Sequence, residues 1–206
     1  MKVLLVNGSP HGKGSTFTAL SEVANALEKE SIETEIYQLG AKPIPGCIAC
    51  GHCYKTGECF MKDRVNEFAD MAEGADGFIF GTPVYYASAN GSLISFMDRL
   101  FYSGSSKFAG KPGAAVVCCR RAGSTATFDQ VNKYFTISNM PVVSSQYWNM
   151  VHGNHPEEVK QDLEGMQIMR TLGKNMAWLL KCIDLGKKNG ITMPEHEEFV
   201  ATNFIR

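Results

Sequence analysis

The opening stretch, Met1 to Phe17 (MKVLLVNGSPHGKGSTF), constrains this chain more than any other. Val3, Leu4, Leu5 and Val6 form an apolar run, short and β-branched enough to predict a strand buried on both faces. The run breaks into turn formers, Asn7, Gly8, Ser9, Pro10, Gly12 and Gly14. These lead into Ser15-Thr16 and an apolar spacing (Phe17, Leu20, Val23, Ala24, Leu27) that suits a helix. A strand, a small-residue loop and a helix start make an anion site, because the first helical N–H groups lack partners and the helix dipole is positive there. The hydroxyls of Ser9, Ser15 and Thr16 add donors without adding charge. The spacing does not fit a Walker loop, since only three residues separate Gly8 from Gly12 and Gly14 follows Lys13. Nor does it fit the dinucleotide fingerprint, because Phe17 stands where the third glycine belongs. A plain turn and N-cap would share the same chemistry.

The rest of the chain alternates strands and helices. Glu33 to Leu39 predicts a second, more polar edge strand, and Gly40 to Asp63 then carries prolines, glycines and four cysteines with no regular period. A short helix follows from Val65 to Gly74, and Gly77 to Thr82 (GFIFGT) predicts a third buried strand. Pro83 to Ser88 leads to a helix from Asn90, with Leu93, Ile94, Met97, Leu100 and Phe101 on one face. Gly113 to Cys119 predicts the fourth strand, and Phe128, Val131 and Phe135 mark the next helix. Pro141 to Val143 starts a fifth strand, and Pro156 opens one long final helix ending near Gly186. Such alternation predicts an α/β fold, a doubly wound parallel sheet with helices on both faces. Five strands favour the order 2-1-3-4-5, in which ligands bind beyond the strands' carboxyl ends where strands one and three part. The loops Ser9 to Thr16, Thr82 to Ser88 and Cys119 to Ser124 would meet there. The expected organisation is one domain over residues 1–190, with the cysteine loop 43–63 inserted after the second strand, and a tail over 191–206.

With 206 residues, 44% of them hydrophobic, and a net charge of −1, the chain is long enough for a sizeable core and too balanced for nucleic-acid binding. No apolar run approaches the roughly 18 residues of a membrane span, and a strand beginning at Lys2 leaves no room for a signal peptide. A cytoplasmic location is expected, where seven cysteines favour thiols, metal ligands or cluster ligands over disulfides.

The pairing of GSPHGKGST after the first strand with GTPVYYASANGSLISFMDRL after the third resembles the flavodoxin-like NAD(P)H-dependent FMN reductases, over nearly the whole chain. The resemblance implies a flavodoxin-like fold and an FMN-dependent oxidoreductase. In it Ser9, Ser15 and Thr16 hold the FMN phosphate with Gly14 in the loop and His11 beside it, and Pro83, Val84, Tyr85 and Tyr86 line the ribityl chain and one ring edge. Arg120, Arg121 and Gly123 reach the pyrimidine end. Tyr85 and Tyr86 could supply the flat wall a ring needs, although adjacent tyrosines are more often packing. No catalytic acid or base is expected, because hydride moves from nicotinamide to flavin and the ring does the difficult part. The arginine pair could balance charge on the reduced ring or hold a nicotinamide phosphate.

A second feature is Cys47-x2-Cys50-x2-Cys53-x5-Cys59. Three cysteines spaced by three in a small-residue loop can turn toward one centre that a fourth closes, the logic of a 4Fe-4S site. Zinc and a loop of free thiols compete with that reading. The motif looks like that of the iron-sulfur flavoproteins, in which a cluster passes electrons to FMN. Cys118, Cys119 and Cys182 read as packing or helix residues. The expected function is electron transfer from NAD(P)H, or from a ferredoxin-like donor through a cluster, to a quinone, free flavin or other small-molecule acceptor, in a homodimer or homotetramer. A non-catalytic electron carrier and a regulatory nucleotide- or metal-binding module are the rival readings.

Overall fold

The computed structural model describes residues 1–198 and 200–204; the ends of the expected tail, residues 205–206, and residue 199 within it lie outside them. Strands β1 (Lys2–Asn7), β2 (Glu33–Gln38), β3 (Gly77–Tyr85), β5 (Gly113–Cys119) and β6 (Met150–His152) form one parallel sheet in the order β2-β1-β3-β5-β6. The two-residue β4 (Ser88–Ala89) folds back antiparallel on the end of β3. The doubly wound order expected from the sequence is therefore present, with a hairpin added at its carboxyl edge.

Helices α1 (Ser15–Lys29), α6 (Pro156–Gln161) and α7 (Leu163–Lys188) cover one face of the sheet. Helices α3 (Arg64–Glu73), α4 (Gly91–Gly104) and α5 (Ser124–Ile137) cover the other, and α2 (Cys53–Thr56) is one turn inside the cysteine loop. β1 alternates its side chains between two cores, Val3 and Leu5 toward α1 and α7, Leu4 and Val6 toward α3 and α4. The second core is aromatic: Phe68, Phe78, Phe80, Phe96, Phe101, Phe108 and Phe135 pack together within it. On the first face α1 and α7 approach so closely that a side chain at Gly173 would meet Ala26 Cβ at 2.7 Å and the Val23 carbonyl at 2.8 Å. The Val23 contact is backbone and cannot yield. Gly173→Val is expected to cost about 2–3 kcal/mol of stability, read by urea unfolding, and an unchanged midpoint would contradict this helix contact.

Strand β3 runs three residues past the expected Thr82, to Tyr85, and two later boundaries differ from the sequence-based expectation. The fifth main strand is Met150–His152, whereas Val142 makes only an isolated bridge to Gly113. The final helix is broken at Asp162, which leaves helical geometry and turns its carboxylate onto the N–H groups of Gly165 and His152, at 2.9 and 2.6 Å. An Asp able to cap a new helix outweighed an unbroken apolar stripe. In the tail, His196 Nε2 lies 2.9 Å from Asn139 Nδ2. Among the described residues no helix is long and apolar enough to cross a membrane.

Candidate functional site

At the carboxyl edge of the sheet, where β1 and β3 part, the loops enclose a cleft of about 850 Å³. Cofactor sites occupy this size range. Ser9, His11, Gly14, Ser15 and Thr16 line it from the first loop, Pro83, Val84 and Tyr85 from the end of β3, and Arg120 from beyond β5. Tyr86, Arg121 and Gly123 line an adjoining recess that shares Val84, Cys119 and Arg120 with the cleft. The structure thus brings the expected ligand residues to one place.

The first loop is held by buried Asn7. Its Oδ1 accepts the Ser9 N–H at 3.1 Å, while its Nδ2 donates to the His11 carbonyl and to Gln38 Oε1. Gln38 Nε2 in turn donates to the Ser9 carbonyl at 2.7 Å. With this scaffold in place, α1 begins after Gly14 with no side-chain cap and no acid in its first turn. The helices α3, α4 and α7 differ, for Asp63, Asn90 and Asp162 cap them. Helix α5 also starts uncapped, after Gly123. Among the described residues no Asp or Glu lines the cleft, and Lys13 and Arg120 stand at it. Free N–H groups, hydroxyls and two cations without a competing carboxylate suit a doubly charged phosphate.

The four loop cysteines, Cys47, Cys50, Cys53 and Cys59, line a second, separate cavity together with Ile48, Tyr54, Phe60, Arg99 and Tyr102. Cys47 and Cys50 are exposed, Cys53 and Cys59 half-buried, and none is in a disulfide. Ala49 N–H donates to Cys47 Sγ at 3.5 Å and Arg99 Nε donates to Cys59 Sγ at 3.2 Å. Among the described residues no three Cys, His, Asp or Glu side chains converge closely enough to share a single ion. Four thiols around one cavity, with N–H donors aimed at two of the sulfurs, are a donor set whose chemistry suits a soft metal centre.

The sequence pattern of the NADPH-dependent FMN reductases matches residues 1–155, which include β1 through β6. The chain belongs to this family. An iron-sulfur flavoprotein of Methanocaldococcus jannaschii is 34% identical over 193 residues, covering 89% of this chain and 99% of that protein. An iron-sulfur flavoprotein of Archaeoglobus fulgidus is 28% identical over 190 residues, covering 85% and 95%. A solved flavodoxin from the domain Archaea aligns with a TM-score of 0.59 at 17% identity, over 88% of this chain and 99% of that one, a likeness of fold. This FMN reductase is an NAD(P)H-dependent flavoprotein oxidoreductase whose cofactor is FMN.

Several features of the cleft were not expected from sequence. Cys118, Gly153, Asn154, His155 and Pro156 also line the cleft, beside Cys119 of the expected Cys119 to Ser124 loop. Both cysteines are buried at the end of β5, as expected of packing residues, and burial pushes the Cys118 thiol up to about 12, so it is neutral at pH 7. The 153–156 loop follows β6, and it reaches the site because that strand lies later in the chain than Pro141 to Val143. The hairpin between β3 and β4 turns through Tyr86 (φ 51°) and Ala87 (φ 60°), both left-handed. Such two-residue turns ordinarily carry Asn-Gly. Ala87 sits against Gly123, whose φ of 84° and whose 2.7 Å distance from a would-be Cβ to Ala87 Cα demand glycine. Replacing Tyr86-Ala87 by Asn-Gly is expected to raise stability by about 1 kcal/mol, read by thermal unfolding, and a lowered midpoint would show that the turn is not strained.

Proposed function

We propose that FMN occupies the cleft and that electrons pass from NAD(P)H, or from a reduced ferredoxin-like protein through a 4Fe-4S cluster, to a quinone, free flavin or another small acceptor. The carboxylate-free cleft over the uncapped start of α1 is the observation that carries this reading. The N–H groups that open α1 and the hydroxyls of Ser9, Ser15 and Thr16 bind the phosphate, with Gly14 allowing close approach and His11 beside it. Pro83, Val84, Tyr85 and Tyr86 form the wall along the ribityl chain and one ring edge, while Arg120, Arg121 and Gly123 face the pyrimidine end. One of the two arginines balances negative charge there or holds a nicotinamide phosphate. Bound FMN supplies the hydride and electron chemistry. No residue of the chain is assigned as acid or base.

Cys47, Cys50, Cys53 and Cys59 are the cluster ligands in this reading. Two observations support it, the shared cavity and a relative named as an iron-sulfur flavoprotein that is aligned over nearly its whole length. The double substitution Cys50→Ser and Cys53→Ser is expected to reduce iron from about four atoms per chain to below one, while FMN stays bound. Iron and flavin counted on the same anaerobic sample check this; zinc in place of iron would contradict it. We further propose a cytoplasmic homodimer or homotetramer, with the exposed Tyr147 and Trp148 on a contact surface, and a domain over 1–190 carrying the 43–63 loop with 191–206 as a tail.

A further inference from the structure

Arg99, on α4, is the largest fully buried side chain among the described residues, and an arginine rarely occupies such a position without full pairing. All five of its N–H donors have acceptors. Nε donates to Cys59 Sγ at 3.2 Å, Nη1 to the Pro45 carbonyl at 3.3 Å and Asp63 Oδ2 at 2.7 Å, and Nη2 to the Met61 carbonyl at 3.0 Å and Asp63 Oδ1 at 2.9 Å. These acceptors lie at both ends of the loop that holds the four cysteines. One guanidinium therefore ties residues 45, 59, 61 and 63 to α4. Cys59 is fixed a second time through its backbone, where its N–H donates to Asn66 Oδ1 at 3.2 Å and its carbonyl accepts from Asn66 Nδ2 at 2.9 Å. Cys47 and Cys50, by contrast, are exposed.

We infer that Arg99 is the positioning residue of the cysteine centre: it closes the 45–63 loop onto α4 and presets Cys59 Sγ as the fixed ligand around which the other three sulfurs assemble. Its second consequence rests on the cluster reading above. A cationic N–H donor to a ligating sulfur favours the more negatively charged state of an iron-sulfur centre, so this contact raises the reduction potential. Lysine cannot replace it. An ammonium has three donors and no planar fork, and it cannot serve a carboxylate, two carbonyls and a sulfur at once.

Two variants test this, Arg99→Lys, which keeps the charge, and the double variant Arg99→Met with Asp63→Asn, which removes both charges so that neither is left buried alone. Thermal unfolding establishes that each folds. Hydrogen exchange of residues 45–63 in iron-free protein then reads positioning. Exchange is expected to rise at least tenfold in the double variant and to fall between it and wild type in Arg99→Lys; protection equal to wild type in both would overturn the positioning role. Redox titration of iron-reconstituted protein reads the second effect. A potential shifted negative in fully loaded Arg99→Lys is expected, and an unchanged one would overturn the Arg99–Cys59 coupling, because a merely structural arginine would not move it. Wild-type protein that takes up no iron would sink the cluster reading alone, and the exchange measurement would still decide whether Arg99 holds the loop.

Discussion

Ser15→Asp is expected to weaken FMN binding by about 100-fold or more while leaving the protein equally or slightly more stable. Ser15 is the first residue of α1, and that helix has neither a side-chain cap nor an acid in its first turn. If this were an ordinary helix start, a carboxylate there would simply be favourable, worth about 0.3–1 kcal/mol against the dipole. In a phosphate site it lies where the ligand's own charge must sit. The variant then loses a hydroxyl donor and adds repulsion, together about 3 kcal/mol, which is roughly two decades in Kd. The two effects have opposite signs, so one variant separates a phosphate site from a plain cap. Fluorescence quenching of FMN titrated into stripped protein measures the first, and thermal unfolding of the same preparation measures the second. Unchanged affinity would place the phosphate elsewhere.

Asp63→Asn is expected to cost about 3 kcal/mol at pH 7, the lower end of the range for leaving a buried charge without its partner. Asparagine still caps α3 as aspartate does, through the bond that Asp63 Oδ1 accepts from Val65 N–H at 3.1 Å. What disappears is the charge facing Arg99. The Asp63 side chain is 33% exposed, and water screens that corner, hence the lower end. Burial alone would push the Asp63 carboxyl up, but the hydrogen bonds from Arg99 and Val65 and the guanidinium charge outweigh it and hold the carboxyl below its ordinary value. A carboxyl whose folded value is depressed contributes stability that is complete above its unfolded value, about 3.9, and is lost as pH falls through the folded one. The gap between wild type and Asp63→Asn should therefore be constant from about pH 5 to 7 and shrink below about 3.9. Urea unfolding across that range checks it; a gap that persists into strong acid would mean that the ion pair is not its source.

The central strands β1, β3 and β5 were legible because they are apolar runs bounded by turn formers, and the loop after β1 already marked one wall of the cleft. Every residue expected to contact FMN lines the cleft or its adjoining recess, since loops at one edge of a doubly wound sheet have nowhere else to go. What was missed depends on side-chain contacts that no period encodes. The supports Asn7 and Gln38 lie 31 residues apart and meet only because β1 pairs with β2 in that register. Arg99 sits in an apolar helix face, and its partner Asp63 lies 36 residues earlier at the far end of an irregular loop. The Tyr86-Ala87 turn carries no turn-forming residue, so its left-handed backbone was invisible. The break at Asp162 was hidden by the apolar stripe that continues across it.

FMN, iron and acid-labile sulfide per chain in protein purified without oxygen, read beside its visible spectrum, test the central claim most directly. One FMN with about four irons and four sulfides, its flavin band bleaching on addition of NADPH, is the expected result. Protein that lacks flavin and cannot take it up would contradict the assignment of the cleft and, with it, the proposed route of electrons.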